Sequence, residues 1–121
     1  LHGQLGSGKT AFAGGLAEGL AIDEPVTSPS FVLMRRYESG FLPLVHADVY
    51  RLGSLAEFDD LDVLDEASEG LLVIEWGEAV ASELPADRLT VVIAVGEDGV
   101  RHITLDPLGE WQSRNLIEVA G

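Results

Sequence analysis

The sequence contains no cysteine, which excludes disulfide cross-links and thiolate metal sites. No apolar run reaches the length that spans a bilayer, and no basic segment followed by an apolar stretch opens the chain as a secretory signal does. No membrane association is expected, and the cytoplasm is the expected compartment. Positive charge is also scarce: seven Lys and Arg stand against 21 Asp and Glu, for a formal net charge of −14. Such a field repels phosphate polymers, which normally bind Lys- and Arg-rich surfaces, and argues against direct binding of DNA or RNA by the chain alone. A small polyanion can bind only where local N–H groups, a cation or a metal overcome that field. The chain has a single lysine, Lys9.

What is present fits a folded protein. The 121 residues, 46% hydrophobic and 23% charged, predict one domain over residues 1–121. Phe12, Leu16 and Leu20 recur at helical spacing with Ala13 and Ala17 alongside, which predicts a helix from Lys9 to about Ala21. Gly14, Gly15 and Gly19 weaken it by roughly 1 kcal/mol each relative to alanine, so close packing on a sheet is expected to hold it. FVLMRRYE (31–38) and LPLVHADVY (42–50) flank Ser39-Gly40 as two strands of a hairpin, with Asp48 near the end of the second. Ser54-Leu55-Ala56-Glu57 fits a capping box that opens one short acidic helix through about Ala67. LLVIEW (71–76) reads as an apolar strand ending in Glu75, and TVVIAV and VRHITL flank GEDG as a further hairpin.

The stretch GQLGSGKT (3–10) satisfies G-x-x-x-x-G-K-[ST] at Gly3, Gly8, Lys9 and Thr10, and Gly6 adds a flexible position. Glycines let successive backbone N–H groups turn toward phosphate oxygens, and the helix that follows offers its positive N-terminus. The expected cradle comprises Gly3, Gln4, Leu5, Gly6, Ser7, Gly8, Lys9, Thr10 and Ala11. In it Lys9 reaches the β- and γ-phosphates of a nucleotide and Thr10 ligates Mg²⁺. Only Leu1 and His2 precede Gly3, so the strand that normally enters such a loop is expected to be missing. Acidic partners for Mg²⁺ or an attacking water belong at the carboxyl ends of strands. Asp48 and Glu75 meet that description as metal-binding and catalytic candidates with Lys9, and either could direct the water. The predicted architecture is α/β, P-loop NTPase-like, with a mixed sheet of β-hairpins flanked by helices.

Four stretches in this order, GQLGSGKT, VTSPSFVL, LVHADVYRL and LLVIEWGE, resemble the TsaE (YjeE) family of bacterial ATPases of the tRNA threonylcarbamoyladenosine (t6A) pathway. H-x-D-x-Y-R and I-E-W-x-E are the more distinctive of these motifs, and the resemblance extends over residues 3–78. It implies an accessory protein that hydrolyses ATP with Mg²⁺ and acts with a threonylcarbamoyl-transfer complex, with partners of the TsaD and TsaB type. The tRNA would be reached only through that complex. By position the resemblance assigns Lys9 and Thr10 to the phosphate loop and Thr27 to a loop near the nucleotide. Asp48 and Glu75 become the acids, and Trp76 the companion of Glu75 beside the nucleotide. Ser30, Ala47 and Gly77 depart from the residues usual in the family.

Other residues are open to blander readings. Thr27 and Ser28 form either a phosphate-sensing switch or an ordinary turn. His46 alternates with Asp48 on one strand face, yet a lone histidine is more often a hydrogen-bonded structural residue. Trp76 serves equally as a core aromatic, and Arg51 as a surface ion-pair partner. Two further functions compete with a slow ATPase: a small-molecule kinase, against which the dispersed arginines count, and a nucleotide-gated binding module that does not turn over.

Overall fold

Alternating apolar positions in the strands sort the chain into a sheet with helices against both faces. The computed structural model describes residues 1–4, 6–27, 34–50 and 55–114. In chain order the elements are β1 (His2–Gly3), α1 (Lys9–Gly19), β2 (Met34–Tyr37), β3 (Leu44–Asp48), α2 (Leu55–Leu61), α3 (Val63–Glu66) and β4 (Leu71–Glu75). A 3₁₀ segment, Gly77–Glu83, leads to β5 (Arg88–Val95), β6 (Arg101–Leu108) and a last 3₁₀ turn, Gly109–Ser113.

Two mixed three-stranded sheets result, β2-β3-β4 and β1-β5-β6. Strands β3 and β4 run parallel, as do β1 and β5, while β2 and β6 are antiparallel to their neighbours. Leu1 joins the two sheets: its amine donates to the Ile74 carbonyl (2.6 Å) and its carbonyl accepts from Trp76 N–H (2.9 Å). That pair of bonds is one rung of a parallel ladder, so the order across the molecule is β2-β3-β4-β1-β5-β6. The strand expected to be missing ahead of the loop is therefore represented by the two residues of β1, inserted between β4 and β5.

Because side chains alternate across a strand, the register of β3 on β4 decides which residues share a face. Leu44 pairs with Leu71, His46 with Val73 and Asp48 with Glu75. Leu44 and Val73 pack with Ala13, Ala17, Ile22 and Tyr37, the α1 side of the core. Ala47 and Ile74 face the opposite way, against Phe58 of α2, Val63 of α3 and Val80. His46, Asp48 and Glu75 thus lie on the same face as α1, with the two acids side by side at the strand ends.

Three expectations are corrected. The buried line of α1 is Lys9, Ala13 and Ala17, whereas Phe12, Leu16 and Leu20 flank it and are half-buried; small side chains let the helix approach the sheet. A Cβ built on Gly14, Gly15 or Gly19 meets nothing within 4 Å. The acidic helix is two helices, broken at Asp62, whose left-handed backbone (φ 57°) ends α2 before α3 begins. The strands of the last hairpin extend beyond the expected 90–95 and 100–105. Residues 31–33 of the first predicted strand and Ser54 of the capping box lie outside the described residues.

Open space beside the helical glycines has a measurable consequence. Gly15 is exposed, so Gly15→Ala should raise stability by about 1 kcal/mol by lowering the conformational freedom of the unfolded chain. The readout is thermal denaturation, with an upward shift of a few degrees.

Candidate functional site

The glycines of the loop are placed where a side chain would not fit or would be strained. A Cβ at Gly3 would lie 2.5 Å from Ser7 Oγ and 2.6 Å from the Ile93 carbonyl oxygen. Gly8, the N-cap of α1, has φ 110° and makes no side-chain cap. The first turn of α1 contains no acid of its own, and its free N–H groups and the positive end of the helix dipole are directed out of the helix.

Lys9, 4% exposed, folds back over the loop. Its Nζ donates to the carbonyls of Gly3 (2.6 Å) and Gln4 (2.9 Å) and stands 3.9 Å from the centre of the Trp76 ring. Trp76 itself takes a left-handed backbone, φ 63°, and its ring lies against that of Tyr50, 4.7 Å between centroids. The single ammonium is therefore held by carbonyl oxygens and an aromatic face.

Glu75 is 3% exposed and makes two attachments. Thr10 Oγ1 lies 3.0 Å from each carboxylate oxygen and donates to them. His46 Nε2 is 2.6 Å from Glu75 Oε2, and His46 is completely buried. With Nε2–H directed at the carboxylate, Nδ1 is left buried with no protein partner. Burial pushes the Glu75 carboxyl up, but the His46 hydrogen bond and charge, the Thr10 hydroxyl and the Lys9 ammonium outweigh it, and the net shift is downward. Asp48 is half-exposed, and its Oδ1 accepts from Tyr50 N–H at 2.9 Å. That bond is the local cap its position at a strand end allows.

These groups line one crevice of about 350 Å³, built from Gly6, Gly8, Lys9, Thr10, Ala11, Asp48, Glu75 and Trp76. Gly3 and Gln4 contribute the carbonyls that hold Lys9. Ser7 is buried away from the crevice. Thr27 is exposed and is not among the lining residues. Leu5, Ser28 and Arg51 lie outside the described residues. The histidine that sequence reasoning left as a structural residue is hydrogen-bonded as expected, but its partner is Glu75. Its alternation with Asp48 was the available signal; the partner depends on the β3–β4 register. Arg101, which donates from Nε to the Ser7 carbonyl at 2.8 Å, was not singled out, and no local pattern marks it.

Removing the histidine should leave a buried carboxylate short of a partner. His46→Ala is expected to cost about 3 kcal/mol of stability at neutral pH. Since the Glu75 pKa is lowered in the folded state, the stability it contributes is present above the ordinary carboxylate range and is lost as the pH falls through the lowered value. Urea denaturation of both proteins at neutral and acid pH should therefore show a gap that narrows on the acid side.

Fold and site together define a mixed α/β protein in which a glycine-rich loop and a helix N-terminus meet two acids at the carboxyl ends of parallel strands. Residues 1–103 match the profile of the family described as "Threonylcarbamoyl adenosine biosynthesis protein TsaE", and the chain belongs to that family. It is 46% identical over 129 residues to the tRNA threonylcarbamoyladenosine biosynthesis protein TsaE of Streptomyces coelicolor, a match covering 100% of this chain and 87% of that protein. To the protein of the same name from Treponema pallidum it is 50% identical over 106 residues, 87% of this chain and 78% of the relative. The crystal structure of Bacillus subtilis YdiB superposes with a TM-score of 0.75 at 36% identity, over 98% of this chain and 72% of that one.

Proposed function

We propose that this member of the TsaE family is a P-loop, Mg²⁺-dependent ATPase that serves t6A modification of tRNA in the cytoplasm, working with proteins of the TsaD and TsaB type. One observation carries the reading: the single lysine, the loop, the Thr10 hydroxyl and the Glu75 carboxylate converge on one crevice. A triphosphate entering it offers Lys9 stronger acceptors than the Gly3 and Gln4 carbonyls, because charge-assisted hydrogen bonds to phosphate exceed those to neutral carbonyls. The loop N–H groups and the helix N-terminus add to that attraction.

The donors fit Mg²⁺. Thr10, Glu75 and Asp48 supply oxygen atoms, which suit a hard cation that keeps several waters and takes one or two carboxylates with substrate phosphates. Among the described residues no group of three or more His, Cys, Asp and Glu side chains could hold a metal, so the ion would enter with the nucleotide. When bound, it would offset phosphate charge. Thr10 would offer its hydroxyl oxygen to the ion, and Glu75, held by His46, would have acceptor capacity for the attacking water. Asp48, half-exposed and tied to Tyr50 N–H, would be a solvent-facing oxygen donor for the ion.

A kinase reading is disfavoured by where the cations lie. Arg36 pairs with Glu38 and Glu66, Arg88 with the Pro85 carbonyl and Arg114 with the Trp111 ring; none of them lines the crevice. The acidic surface leaves tRNA to the partner proteins. Phosphate release from ATP by the purified chain, with and without candidate partners and with the magnesium chelated, tests the proposal. Binding without turnover under every condition would replace it by a nucleotide-gated binding module.

A further inference from the structure

The turn that joins β2 to β3 carries the most exposed large apolar side chain among the described residues, Phe41 at 80%, with Leu42 beside it at 47%. Both flanks of that turn are fixed. Phe41 N–H donates to the Leu20 carbonyl at the end of α1 (2.7 Å), and the Pro43 carbonyl accepts from Leu71 N–H at the start of β4 (2.9 Å). Gly40 lies so close to Leu20, and Gly70 to Pro43, that neither leaves room for a Cβ. These attachments use backbone alone, so the turn itself requires neither an aromatic ring at 41 nor a leucine at 42. We infer that Phe41 and Leu42 are the apolar anchor by which this chain docks on the assembly of TsaD- and TsaB-type proteins, in a pocket rimmed by lysine and arginine. The choice of partner rests on the function proposed above.

Single apolar residues are ordinary on protein surfaces, but two observations set this pair apart. The first is its fixed backbone: an anchor already held in place loses little freedom on burial, and aromatic anchors dominate the energy of protein interfaces. The second is charge. In the segments that build the turn and its supports, residues 18–24, 37–43 and 69–71, every charged residue is acidic and exposed: Glu18, Asp23, Glu24, Glu38 and Glu69. Asp23 is tied to the turn by its N–H, which donates to Ser39 Oγ (3.4 Å). Arg36, the cation nearest the turn along β2, is committed to Glu38 and Glu66. An apolar tip within an acidic ring is complementary to an apolar pocket with a basic rim. A second copy of this chain, with net charge −14 and the same ring, does not supply one, and an anionic lipid surface would repel it.

The surface lies away from the crevice. Strand β3 runs from Leu44 beside the turn to Asp48 in the crevice, and α1 runs from the glycine-rich loop to its end against the turn. The eleven residues of α1 separate the two ends by about 16 Å, so an occupant of this surface leaves the crevice open to nucleotide.

Titration of the fluorescently labelled chain with purified TsaD- and TsaB-type proteins of the same organism, in the presence of ATP and magnesium, tests this. Phe41→Ser should weaken binding roughly thirtyfold, the loss expected on truncating an aromatic anchor. Its melting temperature and ATP affinity should match those of the wild type, because the side chain supports neither. Asp23→Lys should weaken binding less and flatten its dependence on salt. Undiminished binding by Phe41→Ser would overturn the surface and leave the partner assignment standing. Absence of binding by the wild-type chain would overturn both. Self-association of the chain alone that Phe41→Ser abolishes in sedimentation would overturn the inference in favour of a second copy.

Discussion

Replacing Lys9 with alanine will weaken ATP binding by at least about a hundredfold. The expectation follows from charge and burial. No other lysine exists to substitute, and Arg101, which contacts the loop, is bound to the Ser7 carbonyl and is not among the residues lining the crevice. A charge-assisted contact to phosphate in a partly desolvated crevice accounts for a loss of that order. The same change also releases the Gly3 and Gln4 carbonyls that Lys9 now holds, so the loop loses an internal clamp. Lys9→Arg should not rescue binding, because a planar guanidinium does not fit where a 4% exposed ammonium sits against the Trp76 ring. Calorimetry gives the affinity directly, and a rise in melting temperature on adding ATP, present in the wild type and absent in Lys9→Ala, gives it independently. Unchanged binding by Lys9→Ala would dispose of the cradle.

The second large effect is on turnover. Glu75→Gln keeps the shape of the side chain and can still engage Thr10 and His46, but it removes the negative charge and most of the basicity. If Glu75 directs the water, the rate of the chemical step should fall by about 10²- to 10⁴-fold while ATP affinity changes little, since the neutral amide repels the phosphates less. Asp48→Asn should lower turnover less steeply and raise the magnesium concentration needed, as expected of a half-exposed group beside a hydrated ion. Single-turnover measurements at saturating ATP separate the two, because they report chemistry apart from product release. Turnover that survives both substitutions would mean that neither acid acts in the reaction.

The glycine-rich loop, the start of α1 and the ends of β3 and β4 were legible because their signals are local. G-x-x-x-x-G-K-T places a turn and a helix start within eight residues, and an apolar run closed by an acid fixes where Glu75 emerges. The His46–Glu75 pair was out of reach: its partners are 29 positions apart and meet only through the β3–β4 register, which periodicity within either strand does not define. Arg101 and Ser7, 94 positions apart, meet only once β6 is aligned on β5 and β5 on β1. The break at Asp62 escaped for another reason. Its left-handed backbone is adopted by an aspartate in an acidic run, where no glycine or proline signals it.

Trp76 also makes the crevice visible to light. Its indole is the surface against which the resting Lys9 ammonium lies, and indole emission responds to charge at that distance. Departure of the ammonium for a ligand would alter the ring's electrostatic surroundings without any dye being attached. Only Trp111, in the 3₁₀ turn Gly109–Ser113 with Arg114 over its ring, contributes a second indole signal; it does not line the crevice and serves as a built-in reference. Stopped-flow emission can therefore follow the resetting of the loop in real time.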